Sequence, residues 1–396
     1  MNPPVRVVHV CVAIDQFLGG AISACVGTAC LLNTIPNGLR NELLSFGNSQ
    51  VSLSRSAHLF AKLTSAQVEV NLSSSHIPNK YGLGFNASLL KQFSQIRTAD
   101  VVIFHQIYTL GSLLGSLFTF YLRKPFIVVP HGTLTNYHQS IRKLRKIVYK
   151  PLTFILLNKC SSIVVTSEQE SRELFPSLQL KSHIIGFGKQ VELKQRLRYG
   201  EIKNFLFVGR ITPKKNLPLL IEAFIKIARE RPELSLEIVG GGDENIVQEC
   251  MQIIDKNPTH SKQISFHGWL SGENLASAYR RADCFVMPSQ EENFSLVCME
   301  ALNFGIPCIV SEQVGISDVI RKYNAGLVMK TTTVESLAMN MRNMTESNLL
   351  LLSDNAKLAC KNEFDDNKIA NQWRQVIEEA IKDSGGNQMR RESERA

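Results

Sequence analysis

Short apolar runs rich in β-branched residues recur along the chain, and a stretch with helical character follows each of them. Because these runs are continuous rather than alternating, they predict strands buried on both faces, as in parallel sheets covered by helices. The runs are 5–12, 43–46, 68–72, 101–104, 126–129, 162–166 and 183–185, followed by 205–208, 234–239, 264–267, 284–287 and 308–310. The sequence therefore predicts an α/β fold built on doubly wound parallel sheets.

The strand pattern restarts near Lys203, and 396 residues are enough for two domains. We therefore expect two Rossmann-like domains, residues 1–195 and 203–364, with the carboxyl ends of their strands facing a shared cleft, where such sheets bind ligands. A C-terminal helix of about residues 365–382 is expected to pack back on the first domain. Residues 383–396 are expected to form a flexible tail.

Charge is divided unevenly between the two halves. Residues 1–195 carry 19 basic and 8 acidic side chains, whereas the remainder carries 25 and 27. A basic half beside a nearly neutral half predicts different partners for the two domains. The hydrophobic share of 44% excludes a disordered or collagen-like chain.

Nine cysteines without CxxC spacing lie mostly in apolar runs, which indicates buried thiols rather than a disulfide or metal framework. The apolar stretch 101–122 contains His105 and Gln106, which favours a strand followed by a helix over a membrane span. The N-terminal apolar run is too short and too interrupted for a signal peptide. We therefore expect a cytoplasmic protein.

A basic turn follows the strand predicted at 205–208. Arg210 and Lys215 lie five residues apart, and Asn216 is a candidate N-cap for a helix that begins at Leu217. Two cations beside a helix N-terminus could bind a diphosphate, or they could form a solvated basic turn. The glycines at 240–242 likewise allow either close approach of the backbone to a ligand or a sterically free turn.

The segment MPSQEENFSLVCMEALNFG is the most informative one. Glu292 is expected in a loop, before a helix that begins near Ser295, and Glu300 lies one and a half turns inside that helix, in an apolar run. The backbone N–H groups of residues 294–296 would then be oriented toward an anion. The pattern predicts backbone donors for phosphate and carboxylates for sugar hydroxyls.

Three motifs in this order resemble the retaining nucleotide-sugar glycosyltransferases of the GT-B fold (glycosyltransferase family 4). They are GR-x4-K, then PS-x-x-E-x-F-x5-E-A-L-x-x-G-x-P, and then S-x-x-x-G. In the first half, Gly19-Gly20 and the segment VPHG around His131 agree with the family pattern. Asn293 and Ser295 depart from it beside the donor-sugar pocket. The resemblance covers nearly the whole chain.

The resemblance implies a UDP- or GDP-sugar as donor, with no further cofactor and no metal. Arg210 and Lys215 would neutralise the diphosphate, Glu300 would bind the ribose and Glu292 the transferred sugar. His131 would lie beside that sugar, and catalysis would rest on His131, Glu292, Arg210 and Lys215. The other implied donor contacts are Gly19, Gly20, Gly268, Trp269, Leu270, Phe294, Ser295 and Leu296, although Trp269 could equally be a packing residue.

Retention is expected from the family, either by front-face displacement or through a covalent intermediate on Glu292. A basic helix near 141–150 could lie on the anionic inner membrane surface, or its apolar side could pack on the sheet. We expect a peripheral membrane protein that adds sugar to a lipid-linked saccharide in bacterial surface polysaccharide (O-antigen, capsule or exopolysaccharide) biosynthesis. The alternatives are a nucleotide-sugar epimerase of the same fold and a basic nucleic-acid-binding protein, although no nucleic-acid-binding motif is present.

Overall fold

The computed structural model describes residues 3–14, 20–34, 38–48, 56–74, 89–135, 143–188 and 200–393. The chain forms two compact units. The first combines Met1–Lys189 with Asp366–Ala396, and the second is Gln190–Asp365. The division lies beside the predicted domain boundary, and the C-terminal segment belongs to the first unit.

The first unit is a parallel sheet with helices on both faces. Its strands are β1 (Val5–Cys11), β2 (Leu39–Asn48), β3 (Glu69–Ser74), β4 (Val101–His105), β5 (Phe126–Val129), β6 (Ser162–Val165) and β7 (Ser182–Ile184). Its helices before the second unit are α1 (Gly20–Thr34), α2 (Ala57–Ser65), α3 (Leu89–Thr98), α4 (Leu110–Tyr121), α5 (Lys143–Lys159), α6 (Glu168–Arg172) and α7 (Pro176–Gln179). The strand order is β3-β2-β1-β4-β5-β6-β7, so the direction of winding reverses between β1 and β4.

The second unit repeats this architecture. Its strands are β8 (Asn204–Val208), β9 (Ser235–Val239), β10 (Ile264–Phe266), β11 (Cys284–Met287), β12 (Cys308–Ser311) and β13 (Gly326–Met329), in the order β10-β9-β8-β11-β12-β13. Its helices are α8 (Leu217–Ala228), α9 (Glu244–Asp255), α10 (Gly272–Arg281), α11 (Leu296–Asn303), α12 (Ser317–Tyr323), α13 (Val334–Thr345) and α14 (Leu349–Glu363), with 3-10 turns at Pro213–Lys215 and Pro258–Gln263. Two doubly wound parallel sheets confirm the predicted fold class, and each sheet has a switch point beside which such folds bind ligands.

The last helix, α15 (Asp366–Ser393), packs on the sheet of the first unit. Ile369, Trp373, Val376 and Ile377 recur at helical spacing and are each at most 3% exposed. Burial of each such apolar side chain contributes roughly 1.5–3 kcal/mol to stability. The segment from residue 383, predicted as a tail, is helical as far as Ser393, and the helix-favouring residues 388–392 (Gln-Met-Arg-Arg-Glu) follow the two glycines at 385 and 386.

Several further expectations can be compared with the structure. The apolar stretch 101–122 is β4 followed by α4, and all nine cysteines are buried and free, as predicted. Strand β2 begins at Leu39, earlier than predicted, because Glu42 is held by an ion pair 2.7 Å from Arg6 of the neighbouring strand. Strand β13 was not predicted, since its sequence GLVM is short and begins with a glycine.

Candidate active site

The basic turn after β8 is tied to the loop after β11. Helix α8 begins at Leu217 as predicted, but Asn216 has a φ of 52° and its side chain does not cap the helix. Its Nδ2 instead donates to the carbonyl of Pro288 at 3.0 Å, and its Oδ1 accepts from Gln290 Nε2 at 3.1 Å. The left-handed backbone turns the amide away from the helix start. Asn216 therefore joins the two loops at the switch point of the second sheet.

These two loops bring cations and carboxylates together. Lys215 Nζ forms a close ion pair with Glu292 Oε2. Lys214 Nζ lies 3.3 Å from Glu291 Oε2 and 4.0 Å from Glu292 Oε2. The side chain of Lys215 is only 9% exposed and that of Glu292 22%, so water screens their interaction weakly. Arg210 is exposed at the edge of the same cluster.

Glu292 is held in its ionised form. Burial alone would raise the pKa of this carboxyl, but the charge of Lys215, the charge of Lys214 and the hydrogen bond from Lys215 outweigh burial. The charge of Arg210 adds to the effect, so the net pKa of Glu292 lies below its ordinary value. Sequence reasoning identified Arg210, Lys215 and Glu292 but overlooked Lys214. The signal available in the sequence was that Lys214 directly precedes Lys215.

Glu300 lies on helix α11, one and a half turns from its start. Ser295, with a φ of 80°, is the N-cap, and its side chain accepts from Cys298 N. Glu300 is half-buried, and its Oε2 accepts a hydrogen bond of 3.0 Å from the hydroxyl of Tyr279. Burial and the charge of Glu300 raise the pKa of Tyr279 well above its ordinary value, so the phenol stays a donor. Tyr279 orients Glu300, and the sequence analysis did not single it out.

The helix before Glu300 begins at Leu296, directly after Ser295, where the sequence predicts its start. Glu292 lies in the loop before α11, where its backbone bridges to Val314. Phe294 is 5% exposed and packs edge-on against Phe364, with ring centroids 5.5 Å apart. Leu296 is the first residue of the helix, so its N–H has no acceptor within the helix and points out of the N-terminus. The arrangement suits an oxyanion in front of the helix.

The glycines at 240–242 are required by close contacts within the second unit, two with backbone atoms and one with a side chain. A Cβ on Gly240 would lie 1.9 Å from the carbonyl oxygen of Gly209, and a Cβ on Gly242 would lie 2.1 Å from that of Ile211. A Cβ on Gly241 would lie 2.7 Å from Nε1 of Trp269. The close approach that these glycines allow is therefore between segments of this unit.

The segment 268–270 follows strand β10 at the same edge of the sheet. Gly268 has a φ of 64°, and its carbonyl accepts from Gly240 N at 2.7 Å. Trp269 is 62% exposed, and Leu270 is half-buried. The indole of Trp269 covers Gly241 and leaves much of its surface open, so it is not a core residue. A base contact at Trp269 stays a prediction.

His131 follows β5 in the first unit, with a φ of 50°. It comes two residues after the end of β5, so it lies at the carboxyl edge of the sheet. It is half-buried, and its Nε2 lies 2.9 Å from Nδ1 of the buried His105. Burial lowers the pKa of His131 to about 4, so the ring is neutral at pH 7. The next N–H, of Gly132, donates to Glu170 Oε1 at 2.6 Å, which fixes the turn that carries the histidine.

Two other predictions for the first unit are only partly within the described residues. Gly19 lies outside them, and Gly20 is the first residue of α1, with no atom within 4 Å of a Cβ built on it. Of the predicted basic helix, residues 141 and 142 lie outside the described part of the chain, as do the side chains of 143–149. Its basic face stays a prediction.

Comparison with solved structures defines the class of fold. HepE of Anabaena, in a crystal structure with UDP and glucose, has a TM-score of 0.75 at 16% identity, covering 94% of this chain and 99% of that one. A second crystal structure of the same protein, with UDP, gives a TM-score of 0.77 at 15% identity and covers 94% and 100%. The chain has the GT-B fold.

Comparison of sequences defines the family. Residues 188–362 match the family model of the glycosyl transferases group 1. An uncharacterized glycosyltransferase of Methanocaldococcus jannaschii is 29% identical over 188 residues, which are 46% of this chain and 47% of that protein, so the match spans about half of that relative. The UDP-Gal:alpha-D-GlcNAc-diphosphoundecaprenol alpha-1,3-galactosyltransferase of Escherichia coli is 24% identical over 297 residues, 70% of this chain and 75% of that enzyme. The second unit belongs to the glycosyl transferases group 1, and the resemblance to glycosyltransferases is confirmed.

No group of three or more His, Cys, Asp or Glu side chains among the described residues could hold a metal ion. Among the helices described, none has both the length and the apolar character needed to cross a membrane.

Proposed function

We propose that the chain is a retaining glycosyltransferase that uses a nucleoside diphosphate sugar and needs no metal. The observation that carries the proposal is the cluster of Arg210, Lys214 and Lys215 against Glu291 and Glu292, beside the start of helix α11. Three cations face two carboxylates, which leaves a net positive charge for a diphosphate. The family to which the second unit belongs and the two UDP-bound neighbours of the same fold support this choice of donor.

In this proposal Lys215 binds a phosphate oxygen of the donor and the carboxylate of Glu292 at the same time. Its ammonium has three N–H donors, so one can hold Glu292 while another binds a phosphate oxygen. The guanidinium of Arg210 donates two parallel hydrogen bonds to the same diphosphate. The N–H groups at the start of α11 add backbone donors. The bond from the anomeric carbon to phosphate oxygen breaks as negative charge builds on the leaving group. Preorganised cations stabilise that charge.

The carboxylates bind hydroxyl groups of the donor. Glu292, kept ionised by its lysines, accepts from hydroxyls of the transferred sugar. Glu300 has several acceptor positions, so it can bind the ribose while it keeps the hydrogen bond from Tyr279.

In front-face displacement, the acceptor hydroxyl adds to the anomeric carbon on the side that the phosphate leaves. Its proton passes to the departing phosphate oxygen, so no separate base is needed.

We propose a lipid-linked saccharide as acceptor, in the assembly of a bacterial surface polysaccharide. The name of the Escherichia coli relative, which acts on a diphosphoundecaprenol-linked sugar, supports this class of acceptor. The excess of basic residues in 1–195 suits both a diphosphate-linked lipid and the anionic inner membrane surface.

A surface of the first unit also favours peripheral membrane binding. Helices α4 and α7 both contact α5. Large apolar side chains of this region are exposed, namely Tyr121 (80%) at the end of α4, Ile155 (55%) in α5 and Leu180 (93%) directly after α7. Phe154 and Phe175 are also exposed there, and their rings meet edge to face at 5.7 Å. Interfacial membrane binding combines two components, exposed apolar side chains and a basic helix, and both are expected here.

Product analysis tests the proposed reaction. The purified chain is incubated with UDP-glucose, UDP-galactose or GDP-mannose, with and without a diphosphoundecaprenol-linked sugar, and anomeric configuration is read by NMR. We expect an α-linked product that forms only when the acceptor is present. An isomerised donor without acceptor would indicate an epimerase, and binding of oligonucleotides without sugar transfer would indicate the nucleic-acid alternative.

Sedimentation with anionic liposomes at low salt tests the membrane part. The wild type should sediment, and Leu180→Ser with Tyr121→Ser should weaken sedimentation. Leu350→Ser is the matched control, because Leu350 is 53% exposed but lies in the second unit. If the wild type stays in the supernatant, membrane binding is refuted, whereas the proposed sugar transfer is not.

A further inference from the structure

Four side chains form a continuous line of hydrogen bonds across neighbouring strands of the first sheet. Asn41 Oδ1 lies 3.0 Å from His9 Nε2, His9 Nδ1 lies 3.0 Å from His105 Nε2, and His105 Nδ1 lies 2.9 Å from His131 Nε2. Asn41, His9 and His105 are at most 1% exposed. The line begins inside the sheet and ends at the half-buried ring of His131.

The register of the sheet explains why these residues meet. His9 on β1 is paired with Leu43 on β2 and with Ile103 on β4. Asn41 precedes Leu43 by two residues and His105 follows Ile103 by two, so all three side chains lie on one face of the sheet. The line runs diagonally through the switch point and reaches the turn after β5.

Near-parallel rings hold the line in place. The ring planes of His9 and His105 are 21° apart and those of His105 and His131 are 18° apart, with centroids 5.3 and 5.2 Å apart. Phe187 also stacks with His131, with ring planes 13° apart and centroids 6.4 Å apart. The imidazoles are therefore restricted to the orientation in which the hydrogen bonds form.

A chain of neutral imidazoles has only two possible directions. Each neutral ring has one N–H donor and one acceptor nitrogen, so the choice at one end sets every ring. Because Asn41 Oδ1 accepts from His9, His9 carries its proton on Nε2 and offers Nδ1 to His105. The same step repeats, and His131 donates from Nε2 and keeps a lone pair on Nδ1.

Burial keeps the three imidazoles of this line neutral. It lowers the pKa of His9 to about 4, as it does for His131. Burial lowers the pKa of His105 too, and the neighbouring His131 and His9 lower it further. A ring of this kind is not protonated at pH 7, so it cannot serve as a general acid.

We propose that Asn41, His9 and His105 are positioning residues that fix His131 in the Nε2–H tautomer, so that its Nδ1 accepts a hydrogen bond from a hydroxyl of the donor sugar. This proposal rests on the proposed function and on the place beside the transferred sugar that the family resemblance implies for His131. Asn41 decides the direction, because turning its amide over would reverse every hydrogen bond and make Nδ1 of His131 a donor. A sugar hydroxyl would then have to accept instead of donate.

Nitrogen NMR of the full-length protein, with ¹⁵N in the histidine rings, tests the direction without any donor. We expect His9, His105 and His131 to be neutral Nε2–H tautomers at pH 7, with each signal assigned by single substitutions. Asn41→Asp keeps an acceptor and should keep these tautomers, while the carboxylate raises the pKa of His9. Asn41→Leu removes the acceptor and should give a mixture of tautomers at His131. Nδ1–H tautomers in the wild type would overturn the proposal.

Kinetics link the tautomer to sugar transfer. Asn41→Leu should lower kcat about 5- to 10-fold, the effect of one hydrogen bond, and Asn41→Asp should restore most of it. Asn33→Leu is the control for lost stability, because Asn33 accepts from the backbone N–H of Asn41 at 3.0 Å and lies outside the line. A folded Asn41→Leu variant with the tautomers and kcat of the wild type would refute the proposed positioning role of Asn41. Absence of sugar transfer in the wild type would refute the proposed function, while the tautomers would still be measurable.

Discussion

Replacing Lys215 by alanine removes the cation that holds Glu292. The ammonium is buried, and in the proposed complex it lies beside a phosphate oxygen as well as beside the carboxylate. A unit charge about 4 Å from another contributes about 4 kcal/mol at an effective dielectric constant of 20, roughly a thousandfold in rate. Arg210 and Lys214 remain and compensate in part. We therefore expect kcat to fall by at least ~10²-fold, the loss typical of one charge stabiliser.

The assay is release of the nucleoside diphosphate at saturating donor and acceptor. Lys226→Ala is the matched control, because Lys226 forms an exposed ion pair, 3.3 Å from Glu335, in the same unit. Such a pair contributes about 1 kcal/mol or less to stability and should not affect turnover. A second readout is the pKa of Glu292, which should rise in Lys215→Ala because burial is then opposed by fewer cations. Turnover within about fivefold of the wild type would refute the assigned role of Lys215.

Three further predictions concern the two sheets and the helix start. His9 has its pKa lowered from 6.5 to about 4 by burial, so the folded state loses stability as pH falls from 6.5 to 4. The contribution of His9 to this loss is roughly 3 kcal/mol, the lowered pKa values of His131 and His105 add to it, and urea unfolding at pH 7.5 and 4.5 measures the total. Gly240→Ala should lower Tm strongly or prevent folding, because its Cβ would collide with a carbonyl oxygen, whereas Gly27→Ala has no atom within 4 Å and should not lower Tm. An unchanged Tm in the first variant would contradict the packing. Tyr279→Phe should raise the donor KM about 5- to 10-fold, because Glu300 loses a hydrogen bond, and an unchanged KM would reject Tyr279 as the residue that orients it.

The fold could be predicted largely from sequence because its strands are buried on both faces. Continuous apolar runs gave 126–129 and 284–287 with their observed bounds. The pattern failed where polar or glycine residues enter a strand, as at Glu42 in β2 and Gly326 in β13. There, an ion pair or a close backbone contact replaces the hydrophobic signal. At the C-terminus, the predicted tail from residue 383 contains Gly385 and Gly386, whereas the helix continues through both and ends at Ser393.

The site was predictable only where its residues are close in sequence. The pairing of Lys215 with Glu292 joins residues from two loops, and no local pattern specifies which lysine reaches which carboxylate. The line from Asn41 to His131 depends on strand order and register, which a list of strands does not give. The role of His105 in this line could not be predicted, because nothing in its own segment shows the rings that it contacts.

The central claim is that the cations of the second unit bind the diphosphate of the donor. Calorimetric titration of UDP and GDP into the wild type and into the Arg210→Ala, Lys215→Ala double variant measures this most directly, with the corresponding nucleosides as controls. We predict that the Kd of the tighter diphosphate rises at least ~100-fold in the double variant, and that the nucleoside binds both proteins equally. Equal affinity of the diphosphate for the two folded proteins would contradict the claim.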